Sequence, residues 1–187
     1  SSKASQILAK HIGEKAIPTI LKALQKFKKY TRSNFCHILG GIDGEAATQA
    51  LLDLVGTGVK SLPVDALTAL VHHGRINQAV ARELAIDQLR RSKDSRSTKR
   101  LVQILAKQEH AASDEHILEL IETTPVRQIR SIIGAVSKDG GAKLVAETIA
   151  HIRRLPAGHR REEMIGSLGL DRPENRDFLL EIASGNG

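Results

Sequence analysis

Apolar residues recur along this chain at the spacing of one helix face. Ile17, Ile20, Leu21 and Leu24 fall at i, i+3, i+4 and i+7, as do Phe35, Ile38, Leu39 and Ile42, and again Ile129, Ile132, Ile133 and Val136. A strand would alternate every second residue, so the pattern predicts amphipathic helices. The breaks between apolar stretches hold residues that start or stop helices. Ser33, Ser61 and Ser113 are placed to cap helix N-termini, and Gly56, Gly74 and Gly140 to end helices. Pro125, Pro156 and Pro173 fall between helices, where a missing N–H costs least.

The pattern also repeats. Gly13-Glu14-Lys15-Ala16-Ile17 returns 31 residues later as Gly44-Glu45-Ala46-Ala47-Thr48, each opening an amphipathic segment. A second landmark closes the following helix: Leu39-Gly40-Gly41-Ile42, Val71-His72-His73-Gly74, Leu105-Ala106-Lys107, Ile133-Gly134-Ala135-Val136 and Ile165-Gly166-Ser167-Leu168, at steps of 32, 34, 28 and 32. A period near 32 holds two three-turn helices and two short connections. The expected architecture is all-α: a right-handed α-solenoid of about five helix pairs forming a single domain over residues 1–187. The pairs are expected at about 14–42, 44–74, 77–108, 113–137 and 141–169, with terminal helices at 2–11 and 173–184. No pair buries its apolar faces alone, and stacking makes one core. In the last helix, Glu174, Arg176, Asp177 and Glu181 oppose Phe178, Leu179 and Ile182, as suits a cap.

Paired helices at this period, opened by Gly-Glu-x-Ala and closed by Leu-Gly-Gly, resemble the short bacterial HEAT-like repeats of bilin-lyase-related proteins. The resemblance covers nearly the whole chain and speaks to fold. It implies a scaffold for macromolecular recognition, a fold class that also contains a few enzymes.

Composition narrows the core. Hydrophobic residues make up 41% of the 187 residues but aromatic residues only 2%, so the interior is built of Leu, Ile, Val and Ala. Such side chains suit helices about 8–10 Å apart better than an aromatic-lined pocket. Cys36 is the single cysteine, which excludes an intrachain disulfide and a Cys-rich zinc site. No apolar run reaches the roughly 20 residues that span a bilayer, and residues 1–6 lack a secretory apolar stretch, so no membrane association and a cytoplasmic location are expected. Residue 1 is not Met and is read as a processed end, a tag scar or a cut inside a longer protein.

Charge adds the functional signal. The turns inside the expected pairs carry Lys26, Lys28, Lys29, Arg32, Lys60, Arg90, Arg91, Lys93, Arg96, Lys99, Arg100, Arg127, Arg130, Arg153, Arg154, Arg160 and Arg161. These are 17 of the 28 basic residues, against one acid, Asp94, so the turns carry +16 and the remainder −9 within a net charge of +7. Cations near a helix C-terminus are favoured by its dipole. Those at second-helix N-termini, from Arg96 to Arg161, oppose a preference for acids there of roughly 0.3–1 kcal/mol each. The expectation is a non-enzymatic protein-recognition scaffold whose basic edge suits an acidic or polyanionic partner. The alternative is a nucleic-acid-binding module with weak sequence preference, in which Tyr30 or Phe27 stacks on a base. A third reading is a HEAT-like glycosylase for alkylated bases, which would need an acid in a basic groove; Asp94 is the one acid so placed, otherwise read as an ion-pair partner of Arg91 or Arg96.

No catalytic, cofactor or metal residue is expected, and no small-molecule substrate. His72 and His73 are adjacent and would point about 100° apart along a helix, the wrong disposition for shared ligation. Glu109-His110 and Glu115-His116 reverse the His-Glu order of HEAT-fold di-iron hydroxylases. The histidines read as surface or helix-end residues. Gly56-Thr57-Gly58-Val59-Lys60-Ser61 lacks the Gly-Lys-Ser adjacency of a phosphate loop and reads as a turn, and Cys36 reads as core.

Overall fold

The structure, a computed structural model, describes residues 13–26, 29–59, 61–92 and 94–185, with the side chains of residues 29 and 30 left aside. The expected leading helix at 2–11 lies outside them, as do Phe27, Lys28, Lys60 and Lys93. The described residues form a 3₁₀ turn, Gly13–Ala16, and eleven α-helices with no strand: α1 Ile17–Lys26, α2 Lys29–Gly41, α3 Glu45–Val55, α4 Leu62–His72, α5 Gln78–Arg91, α6 Ser95–Ala106, α7 Ala111–Thr123, α8 Val126–Asp139, α9 Ala142–Arg154, α10 His159–Ile165 and α11 Pro173–Ala183. The predicted helical class is what the chain adopts. None of these helices is long and apolar enough to cross a membrane.

Two compact units emerge, Ser1–Gln88 and Leu89–Gly187. In the first, α1 packs on α2, α3 on both α2 and α4, and α2 on α4. Leu39, Ile42, Leu51, Leu67 and Leu70 are fully buried there, as is Cys36. In the second unit α6 packs along α8 and α8 on α10, while α7 packs on α6 and α8, and α9 on α8, α10 and α11. Leu101, Val102 and Leu105 of α6 and Ile129, Ile132 and Ile133 of α8 are completely buried. Each such aliphatic side chain contributes about 1.5–3 kcal/mol on leaving water.

The repeated glycine landmarks have physical causes. Gly13 (φ +56), which opens the 3₁₀ turn, and Gly44 (φ +123), which caps α3, hold backbone conformations that L side chains rarely adopt. Gly40 on α2 lies where α4 comes closest: a Cβ there would stand 3.3 Å from the Ala69 carbonyl and 2.5 Å from His73 Cδ2. At Gly40 the close approach of α4 demands a small residue, whereas a Cβ at Gly134 would meet nothing nearer than the Ser167 carbonyl at 3.9 Å.

Two predicted caps are corrected. Ser33 lies inside α2, and Ser113 is buried in the first turn of α7, whose N-cap is His110; its Nδ1 accepts from the Ala112 N–H at 3.2 Å. A ring nitrogen there does the work the serine was expected to do. Ser61 does precede α4, at φ +67, but makes no side-chain cap bond. Gly56, Gly140, Pro125 and Pro173 stand at helix ends as read.

Side chains tie elements to those about 32 residues away. Within the first unit Arg75 donates to the Gly40 carbonyl and Gln88 to that of Val55. Within the second, Gln103 donates to Asp139, Arg130 to Glu163, Arg160 to the Thr124 carbonyl and Arg172 to that of Gly140. These six links join residues 32 to 36 positions apart.

Candidate polyanion interface and a histidine cluster

The basic residues read from sequence divide by what their side chains touch. Several are bound to the protein itself. Arg32 donates through Nε to the Leu24 carbonyl at 3.1 Å, near the end of α1. Arg160, in the first turn of α10, donates to the Thr124 carbonyl at 2.8 Å, to that of Glu122 at 3.2 Å and to that of Ile121, so it closes the C-terminus of α7. Arg130 grips Glu163 of α10 with two nitrogens, one at 3.0 Å from Oε1. That bond raises the arginine's pKa and holds the Glu163 carboxyl below its ordinary range. Arg153 pairs with Glu181 and lies 5.2 Å from the centre of the Phe178 ring. Arg154 donates to Ala150 of its own helix at 3.3 Å, and Arg161 is half-buried with its Nε inside the protein. For Arg130, Arg153 and Arg160 the partner lies 28 to 39 residues along the chain, whereas Arg32 and Arg154 bond within eight residues and the buried Nε of Arg161 has no hydrogen-bond partner.

A second set is known by its exposure, with Arg91, Arg96 and Arg100 also making contacts within the protein. Lys26 is exposed at the end of α1. In the second unit Arg90 and Arg91 are exposed at the end of α5, Arg96 and Lys99 are exposed on α6, Arg100 is half-buried beside them, and Arg127 is exposed on α8. The local sequence enforces this on α6. Asp94 caps the helix by accepting from the Ser97 N–H at 3.0 Å, and Thr98 donates to the Asp94 carbonyl at 3.1 Å. Ser97 and Thr98 are buried, which leaves Arg96, Lys99 and Arg100 on the remaining arc. Helix α6 contains no acid at all, and α8 has only Asp139 at its far end. Because α6 and α8 pack side by side, their basic N-terminal halves belong to one region of the second unit.

A different surface lies between the first helices α7 and α9. A groove of about 330 Å³ is lined by four acids, Asp114, Glu115, Glu122 and Glu147, together with Lys143, Arg154 and His151. Burial, reinforced by Glu147, raises the Asp114 pKa against the pull of Lys143, and its Oδ1 is buried without a hydrogen-bond partner. Burial lowers the pKa of His151, with Glu122 opposing.

Sequence reasoning missed one cluster. Near the ends of α2 and α4, the rings of His37, His72 and His73 converge, with centroids 5.2 Å, 5.7 Å and 4.9 Å apart. One donor atom of each lies within 4.8 Å of the others. His73 still bonds the Ala69 carbonyl through its N–H at 3.0 Å, so it leaves the helix about 100° from His72, and the rings nevertheless meet because each turns toward His37 of α2. The available signal was the spacing of His37 from His72 and His73, 35 and 36 residues, close to one repeat. Compared with known protein families the chain matches none, and no curated protein matches it.

Proposed function

We propose that this chain is a non-enzymatic recognition scaffold, a right-handed α-solenoid of HEAT-like helix pairs. Its outward cations on α6 and α8 bind the phosphate backbone of nucleic acid with little sequence preference. The observation that carries the reading is the pairing of Lys99 and Arg127. Both are exposed in the N-terminal halves of adjacent helices that carry no acid of their own there, beside the capping Asp94 and the Glu163 that holds Arg130. Helix N-termini direct backbone N–H groups toward an anion, and the added cations supply long-range attraction. Such a surface grips phosphates and carries no base-reading code. Side-chain links spanning about one repeat support the solenoid, in which each unit touches its neighbours. The glycosylase reading loses its acid: Asp94 is engaged as the cap of α6. An acidic protein is the competing partner, and the experiment separates the two.

Binding to duplex DNA is measured by fluorescence anisotropy over a range of salt. With about four phosphates contacted, log K falls against log salt with a slope of roughly −3.6. Changing Arg96, Lys99, Arg100 and Arg127 to Glu abolishes binding and leaves helicity intact. The matched control reverses Lys22, Lys138, Lys143 and Arg176, four exposed cations outside this region, and retains most binding. Equal losses from both sets would mean that only net charge is felt. Absence of binding by the unaltered chain at low salt would assign the surface to an acidic protein.

A further inference from the structure

We propose that His37, His72 and His73 form a binding site for a divalent transition metal ion that takes nitrogen ligands, zinc foremost. Three imidazoles from two packed helices supply three donors within 4.8 Å of one another. A tetrahedral zinc site with Zn–N of about 2.0–2.1 Å requires N···N separations of about 3.3–3.4 Å. Closing that gap takes a rotation of partly exposed side chains and no movement of the helices, because His72 is exposed and His37 half-buried. The exposed side leaves a fourth position for water, the open three-histidine arrangement.

Three further features favour ligation over simple packing. The Nε2 atom of His73 is buried and has no hydrogen-bond partner, which is costly for a polar atom unless something else occupies its lone pair or proton. The His73 ring is half-buried, with its centre 5.7 Å from that of His37 and 4.9 Å from that of His72, so it is already turned into the cluster. Gly40 makes room: any Cβ at that position would stand 2.5 Å from His73 Cδ2 and push the ring out of the cluster. One neighbour opposes a cation, the Arg75 guanidinium. It is held by the Gly40 carbonyl at 2.8 Å, the Ile42 carbonyl at 2.9 Å and the Asp43 carboxylate at 2.9 Å, which offset its charge. A donor set of imidazoles without carboxylates selects zinc, copper, nickel or cobalt and rejects magnesium and calcium. A bound ion would join α2 to α4 at their ends.

The test uses the full chain without a histidine tag, titrated with Co²⁺ and followed by its visible ligand-field absorption. The expected result is one equivalent bound, displaced by Zn²⁺ and unaffected by Mg²⁺, with a melting temperature raised by several degrees when Zn²⁺ is in large excess over its dissociation constant. His37→Ala and His72→Ala each weaken binding at least tenfold. Gly40→Ala, which leaves all three histidines in place, weakens it as well by displacing His73. The proposal is overturned if the unaltered chain takes up no stoichiometric Co²⁺. It is equally overturned if binding persists unchanged in both histidine variants, which would place the ion on the other histidines.

Discussion

Arginines beyond the C-terminal ends of the second helices and cations at their N-terminal ends look alike in sequence and differ in what they hold. Beyond α4, Arg75 reaches back to the end of α2, donating to Gly40 and Ile42; beyond α10, Arg172 reaches back to Gly140 at the end of α8. Both satisfy carbonyls that a helix terminus leaves without partners. At the N-terminal ends, Lys99 and Arg127 stand exposed on α6 and α8. The same charge serves cohesion at one end and remains available to a partner at the other. The largest effect should therefore follow from Arg75→Ala or Arg172→Ala. Each should lower stability by about 1.5–3 kcal/mol, the usual worth of a hydrogen bond to a charged group, read from urea unfolding monitored by helicity. Lys99→Ala and Arg127→Ala should each change stability by less than about 0.5 kcal/mol. Similar losses from all four would erase the distinction.

The N-terminal ends also differ among themselves. Arg127 is exposed, whereas Arg130, one turn later, is held by Glu163. If phosphate binding draws on the outward set, Arg127→Gln should reduce the salt slope on duplex DNA by about 0.9, the share of one phosphate contact. Arg130→Gln should change it less. Glu163→Gln sharpens the contrast, because it releases Arg130 without touching a cation and should strengthen binding and steepen the slope by about 0.9. A weaker or unchanged complex would show that Arg130 does not face the same ligand.

The helices were legible because apolar spacing is a local signal, as in Ile129, Ile132, Ile133 and Val136, all of which are buried on α8. Gly13 and Gly44 were legible for a similar reason, since each answers to its own backbone angle. The roles of individual cations were not. Arg160 opposes the dipole of α10 when read alone, and its purpose appears only with the carbonyls of Ile121, Glu122 and Thr124, 36 to 39 residues earlier. Arg130 and Glu163 are 33 residues apart, and no composition window joins them. The histidine cluster escaped because its third ring, His37, comes from another helix, 35 residues before His72. Each of these contacts spans about one repeat, so aligning the repeats on one another is the reading that would have paired them.

The first helices offer the negative counterpart of the basic ends, and there the expected effect is smallest. Asp114 is buried on α7 beside Glu147, and its pKa is raised chiefly by burial. The folded state therefore binds the proton more readily than the unfolded chain does. Above the folded pKa the ionised carboxylate reduces stability by a constant amount; as the pH falls through that pKa toward the unfolded value, the cost is progressively relieved. Asp114→Asn carries no charge at any pH. Its melting temperature should exceed that of the unaltered chain at pH 7 by a few degrees at most, corresponding to about 1 kcal/mol or less. The difference should narrow as the medium is acidified through the raised pKa and settle to a constant below the ordinary carboxylate range. Glu147→Gln, which removes the like charge beside Asp114, should shift that window toward lower pH. A difference independent of pH would trace the gain to the amide's hydrogen bonding, and one that widened in acid would mean that Asp114 is held ionised by Lys143, with the α7–α9 groove acting as an ion-paired seam and not as a negative surface.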